Sequence, residues 1–328
     1  MLDNVREITF EITNRCNLRC RICNIWHERP RRDLSPAEIG RFLNNFPSLD
    51  SVSLTGGEAL LHPDIDSIYL ILVKAWLRKK LHNIDIATNA TSPLLSRFLA
   101  RHSAHLGPLT LSVSLDGIGG VHNAQRGTPG AFAKVLKNIA LARKHRVPVT
   151  IKFVASSLNY RQLPKVQEIA TRLGCEFNFK LVEVVPAYYH RDPGVRPPLL
   201  RANQRRALAK ILTAMTLAPG ADPMEIFSRN EHVNALAHGP SKRIRRCLTP
   251  ERALFVTSDG NVFNCLYLPP VGTLTRGPTG FDAGILARNA LLGRRGQCPR
   301  CLAYHGYLRE FNADIFPQAA APAQRSRR

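Results

Sequence analysis

Cys16, Cys20 and Cys23 stand in a C-x3-C-x2-C array directly after an apolar N-terminal segment. Three thiolates on a short loop can hold three corners of a cubane iron–sulfur cluster. The fourth iron is then open to a ligand, the feature that separates a reactive metal site from a closed one. His27 follows Cys23 by four residues, so the same stretch could also make a tetrahedral Cys3His zinc site. A second set lies near the other end. Cys247 and Cys265 are separated by seventeen residues, and Cys298 and Cys301 form C-x2-C. Four thiolates can ligate a whole second 4Fe–4S cluster or a zinc ribbon. Cys175, the one cysteine outside both sets, reads as a small structural hydrophobe at the start of a strand.

The elements that must position these groups are legible between residues 6 and 185. Candidate strands are Arg6–Thr13, Asp50–Thr55, Asn83–Thr88, Leu109–Leu115, Pro148–Ala155 and Glu176–Val185, short, β-branched and largely apolar, as strands of a helix-covered parallel sheet should be. Between them lie the helical segments Pro36–Phe46, Asp64–Lys80, Pro93–His102, Gly130–His145 and Arg161–Leu173. The first opens on a capping box, Ser35-Pro36-Ala37-Glu38. This alternation predicts an α/β fold, a partial (β/α)6 barrel of parallel strands over residues 1–186. Residues 187–246 are rich in Pro and Arg and read as a linker with one helix near Asn203–Met215. Residues 247–314 read as a small cysteine-rich domain carrying a hairpin-like segment, Ala253–Cys265. Residues 315–328 read as a disordered basic tail.

In an α/β barrel, chemistry gathers where strands end and loops begin. The cysteine loop leaves the first strand, Thr55-Gly56-Gly57-Glu58 the second and Thr88-Asn89-Ala90 the third, and Ser114-Leu115-Asp116-Gly117 ends the fourth. Zinc explains only the first of these. One composite site explains all four.

With these residues in place, residues 6–185 resemble a radical S-adenosylmethionine (SAM) enzyme. That resemblance implies that Cys16, Cys20 and Cys23 hold a 4Fe–4S cluster whose open iron binds SAM. The reduced cluster then cleaves SAM to methionine and a 5′-deoxyadenosyl radical, which takes hydrogen from a substrate. It also implies that Gly56, Gly57 and Glu58 hold the methionine ammonium, that Ser114 and Asp116 bind ribose hydroxyls, and that Asn89 is a polar SAM contact. Arg126 resembles the family arginine that pairs with the methionine carboxylate. One departure is visible: the family usually has an aromatic before the third cysteine, and this chain has Ile22. Residues 247–301 resemble the Twitch half of a SPASM domain, implying an auxiliary 4Fe–4S cluster on Cys247, Cys265, Cys298 and Cys301.

The resemblance implies an oxidation as the first reading, a small-molecule dehydrogenation in which the auxiliary cluster accepts the second electron. Twitch-bearing relatives that dehydrogenate an amino-cyclitol alcohol are the analogy. A second reading is a maturase that crosslinks or epimerises a ribosomal peptide, although the chain starts at once with the first barrel strand and leaves no room for a leader-recognition domain. A third, a non-catalytic iron–sulfur or zinc scaffold binding RNA, leaves Gly56–Glu58, Ser114 and Asp116 unexplained. Glu183, Tyr188, Tyr189, His190 and Arg191 lie at or just after the end of the sixth strand and are candidate barrel-mouth residues. The general base that an oxidation needs is not identifiable from the sequence.

The chain has 328 residues, 44% of them hydrophobic, and a formal charge of +22. Its basic residues are dispersed, with no RNA-binding module of interleaved aromatics, so nucleic acid is not the expected partner. An acidic ferredoxin or flavodoxin electron donor suits so basic a chain. No signal peptide or membrane span is visible, so metal ligation rather than disulfides is expected of the cysteines, in a cytoplasmic protein.

Overall fold

Each barrel strand carries two chemically different faces, and this alternation organises the molecule. The computed structural model describes residues 4–27, 32–183, 197–216, 229–230, 233, 236 and 247–294. Tyr188, Tyr189, His190, Arg191, Cys298, Cys301 and the segment 315–328 lie outside the described residues. The strands are β1 (Glu7–Thr13), β2 (Leu49–Gly56), β3 (Leu81–Thr88), β4 (Leu109–Ser114), β5 (Val149–Ala155) and β6 (Glu176–Leu181), all paired parallel to their neighbours. Ile8, Phe10, Ile12, Val52, Leu54, Ile84, Ile86, Leu111, Val113, Ile151 and Phe153 are fully buried on one face. Successive side chains point to opposite faces, so Ser51, Ser53, Thr55, Asn83, Asp85, Thr110, Ser112, Ser114, Thr150 and Lys152 share the other face, each half-buried.

The helices α1 (Pro36–Leu43), α2 (Ile65–Leu77), α3 (Leu94–Arg101), α5 (Ala131–Lys144) and α6 (Leu163–Arg172) pack the apolar face, through residues such as Phe42, Ile68, Leu72, Leu99, Val135, Ile139 and Val166. The expected helix-covered parallel sheet of a partial barrel is what forms. Helices cover one face, and the other is a polar concavity whose side chains bond across strands: Asn83 Nδ2 to Ser51 Oγ (3.3 Å) and Thr110 Oγ1 (3.2 Å), and Ser112 Oγ to Asp85 Oδ1 (2.9 Å). The capping box at Ser35 forms as expected, with Glu38 N donating to Ser35 Oγ and Ser35 N to Glu38 Oε2. One helix, α4 (Gly120–Arg126), was not expected. It closes on Gly127 in the left-handed region at φ 64°, a C-terminal glycine signal present in the sequence.

The partial barrel stays open: β6 lies at one edge of the sheet, and β1 does not return to it. Instead β7 (Ala253–Val256) pairs parallel to β1, and β8 (Asn261–Phe263) and β9 (Gly272–Thr273) extend the same sheet antiparallel, in the order β6-β5-β4-β3-β2-β1-β7-β8-β9. The hairpin expected at Ala253–Cys265 thus forms as a continuation of the barrel sheet. Ser258, at its turn, donates through Oγ to the buried Glu11 carboxylate on β1 (2.7 Å). α7 (Ala202–Thr216) is the linker helix, with Leu208 and Leu212 buried. After it come α8 (Thr249–Arg252) and α9 (Ala283–Arg294).

Candidate active site

β1 ends in a register shift between Glu11 and Thr13, and the chain then turns into the cysteine loop. The Gly56-Gly57-Glu58 turn packs directly against this loop. Gly57 N donates to Thr13 O (2.9 Å) and Glu58 N to Arg15 O (2.8 Å). A Cβ on Gly57 would sit 2.3 Å from Arg15 O, and one on Gly56 2.1 Å from Thr13 O, so only glycine permits the approach. On its other side the loop is held by α4: Arg21 N donates to Gln125 O (2.9 Å), and a Cβ on Gly127 would meet Arg19 O at 2.2 Å. Trp26 Nε1 closes the loop on Cys20 O (3.1 Å).

The loop and the strand ends enclose a cavity of about 290 Å³. Cys16, Cys20, Cys23, Gly56, Gly57, Thr88, Asn89, Ser114 and Arg126 all line it. Sequence reasoning named every one of these except Thr88 as a site residue in its own right. It missed Thr55, Asn24, Trp26 and Lys180, which line the same cavity. Lys180 had a signal, the period-two alternation of Glu176, Asn178 and Lys180 along β6.

Two expected ligand contacts do not face the cavity. Glu58 is 1 % exposed and its carboxylate is spent on the protein, accepting from Thr88 Oγ1 (2.7 Å), Asn89 N (2.7 Å) and Leu60 N (3.4 Å). It anchors the β3 turn. At that turn Ala90 is held at φ 52°, with Ala90 N donating to Thr88 Oγ1 and Ala90 O accepting from Asn138 Nδ2 (2.7 Å). Asp116 is fully buried behind Arg126, whose Nη2 pairs with Asp116 Oδ2 at 2.5 Å, while Asp116 Oδ1 accepts from Val154 N (2.8 Å). Arg126 Nη1 lies 3.9 Å from Cys20 Sγ. Asn89 reaches the cysteine loop through Asn17: its Nδ2 donates to Asn17 Oδ1 (2.8 Å).

Burial pushes the Cys16 thiol up to about 11 and Cys23 up to about 12, and raises Cys20 as well, although Arg126 opposes it there. As bare thiols they stay protonated at neutral pH, so they ligate only where a metal centre supplies the charge that displaces the proton. Among the described residues no three His, Cys, Asp or Glu side chains converge as ligands of a single ion would. That absence covers the three loop cysteines and His27 alike. The three thiols border one cavity beside a buried cation, a setting that suits an anionic cluster. Cys247 and Cys265 also sit in one packed unit. Cys247 N donates to Gly293 O (2.8 Å) on α9, and Asn264, beside Cys265, donates to Pro250 O and accepts from Asn289 of the same helix (2.7 Å). Cys175 packs at the edge of the core, its thiol donating to Leu173 O (3.7 Å).

The match to known proteins falls on this same scaffold. Residues 10–162 match the Radical SAM superfamily. The AdoMet-dependent heme synthase of Methanosarcina barkeri is 31% identical over 288 residues, 82% of this chain and 79% of that protein. The pre-heme d1 synthase of Dinoroseobacter shibae is 25% identical over 70% of this chain and 56% of its own length. Among solved structures, anSMEcpe with bound AdoMet superposes with a TM-score of 0.64 at 18% identity, over 92% of this chain and 84% of that one, a likeness of fold. The chain belongs to the radical SAM superfamily and is a radical SAM enzyme. Its family carries a 4Fe–4S cluster and SAM.

Proposed function

We propose that this protein oxidises an anionic small molecule by radical chemistry. In this reading Cys16, Cys20 and Cys23 would hold the SAM-binding cluster, and Cys247, Cys265, Cys298 and Cys301 would hold an auxiliary 4Fe–4S cluster, which would supply an acceptor for the second electron. The observation that carries the reading is the single cavity onto which the three thiols and the ends of β2, β3, β4 and β6 open. When bound, the first cluster and SAM supply a 5′-deoxyadenosyl radical able to take hydrogen from a substrate carbon.

The protein's own residues do the rest. Gly56 and Gly57 set the cysteine loop against the barrel mouth, and Glu58 holds the Thr88–Asn89 turn. Arg126 places a positive charge beside Cys20 and the cavity. Thr55, Ser114 and Asn89 present hydroxyl and amide groups to a polar ligand. On and just after β6 stand Lys180, which suits a substrate carboxylate, and Glu183, the one carboxylate among the described lining residues. The Tyr267 hydroxyl donates to Glu183 and ties β6 to the segment that follows Cys265. An oxidation removes a hydrogen atom, a proton and an electron; Glu183 is the proton acceptor in this reading.

The charge of +22 favours an anionic substrate and an acidic ferredoxin or flavodoxin as electron donor. Two relatives matched above are named for heme-type products, which makes a carboxylated tetrapyrrole the first substrate to try. The decisive experiment is anaerobic reconstitution with iron counting, followed by SAM cleavage and product analysis by mass. About eight irons per chain are expected, and about four would overturn the auxiliary cluster. Loss of product in Cys298→Ala/Cys301→Ala with SAM cleavage retained would support electron acceptance there, as would uncoupled SAM cleavage in Glu183→Gln. Turnover with a ferredoxin donor should fall as salt rises. Product from peptides but not from tetrapyrroles would move the assignment to peptide maturation.

A further inference from the structure

Asn24 follows the last cysteine of the loop, lines the cavity and is 1 % exposed. Its backbone carbonyl accepts from His27 N (3.0 Å), which fixes the residue at the start of the short helical turn Ile25–His27. Its side chain is different. Among the described residues neither Asn24 Nδ2 nor Asn24 Oδ1 has a hydrogen-bond partner, and both atoms are buried. A buried amide missing both bonds costs stability unless something else completes it. In this cavity that something is a ligand.

The amide offers a donor and an acceptor side by side in one plane. The parts of SAM differ in what they can return. A carboxylate only accepts, an ammonium only donates, and ribose hydroxyls rotate and are not coplanar. The adenine edge alone presents an amino donor next to a ring-nitrogen acceptor in a plane, the pattern that asparagine matches with two bonds. The walls beside Asn24 suit the ring faces, since Leu18, Ile22 and Ile25 line the same part of the loop. We propose that the Asn24 amide reads the adenine edge of SAM and so sets which nucleoside the cavity accepts. Ile22 then provides apolar contact to the ring, and the neighbouring amide reads its edge.

This inference rests on the radical SAM reading of the cavity, and binding measurements separate the two. Reconstituted protein is titrated calorimetrically under anaerobic conditions with SAM and with its 6-deamino purine analogue, which lacks the amino donor. Wild type should prefer SAM by about tenfold or more. Asn24→Leu, of similar volume, should lose about tenfold in SAM affinity, and its preference over the analogue should collapse towards one. Its SAM-free thermal midpoint should be unchanged or higher, because an uncompensated amide has been removed. An undiminished preference in Asn24→Leu overturns the proposal, as does a lowered SAM-free midpoint, which would mean that the amide is already bonded within the protein. Failure of wild-type protein to bind SAM at all would instead overturn the cofactor assignment on which the proposal stands.

Discussion

Arg126 shows what a single buried charge does in this site. Its guanidinium is 8 % exposed, pairs with a fully buried Asp116 and lies against Cys20. Replacing one partner leaves the other as an uncompensated buried charge. Arg126→Met should therefore destabilise the protein by about 3–5 kcal/mol, and Arg126→Met/Asp116→Asn should recover much of that, because Asn keeps an acceptor for Val154 N. Chemical denaturation of the three proteins checks this; additive losses would mean that the pair is not coupled. The family resemblance implied a ribose contact for Asp116 and a carboxylate contact for Arg126. Their pairing was not legible, because the distance between side chains ten residues apart depends on how α4 folds back over the end of β4.

At the scale of elements, the site depends on how tightly the β2 turn meets the cysteine loop. The Thr-Gly-Gly-Glu segment was legible as a ligand cradle. The structure shows its glycines spent on backbone contact with Thr13 and Arg15, and its glutamate on Thr88 and Asn89. Gly57→Ala drives a Cβ into Arg15 O, a backbone atom that cannot yield without moving the loop. The expected outcome is a loss of about 1–3 kcal/mol and a fall in iron bound per chain after reconstitution, read by unfolding and iron analysis on the same sample. Unchanged iron content would show that the loop tolerates displacement. The strands themselves were readable because their apolar residues recur with period two. β6 was expected to reach Val185 but ends at Leu181, since strand limits depend on the neighbour's hydrogen bonds rather than on side-chain type.

For the whole molecule, acid sensitivity is set by buried neutral histidines. Burial, and then the nearby Arg126 charge, push His122 down to about 3, and burial lowers His62 too. His122 Nδ1 accepts from Asp116 N (3.0 Å), a bond only the unprotonated nitrogen can make. The unfolded chain binds a proton near pH 6.5 that the folded histidine refuses. Stability is thus fully present above about pH 6.5 and is lost as pH falls from there towards about 3, by up to ~1.4 kcal/mol per pH unit for each such histidine. Unfolding free energies from pH 7.5 to 5 should show this slope, reduced by one histidine's share in His122→Gln. Equal slopes in the two proteins would show that His122 is not buried neutral. At this scale the sequence suggested a barrel with a separate cysteine-rich unit. In the folded chain that segment's hairpin runs along the free edge of β1, with Ser258 satisfying the buried Glu11 carboxylate.

The sequence by itself determined the class of chemistry. Three cysteines at 16, 20 and 23, glycines at 56 and 57, and polar residues at strand ends carry information in their identity and spacing, because ligand type and strand period are local properties. Tertiary structure decided which of these groups face the cavity and which serve the protein. Glu58 and Asp116 turned inward to hold backbone and Arg126, while Lys180, Glu183 and Asn24 took places on the cavity wall. Orientation and partnership are non-local: they depend on the register of parallel strands and on a helix packing back over the barrel mouth, and no single stretch of sequence contains them.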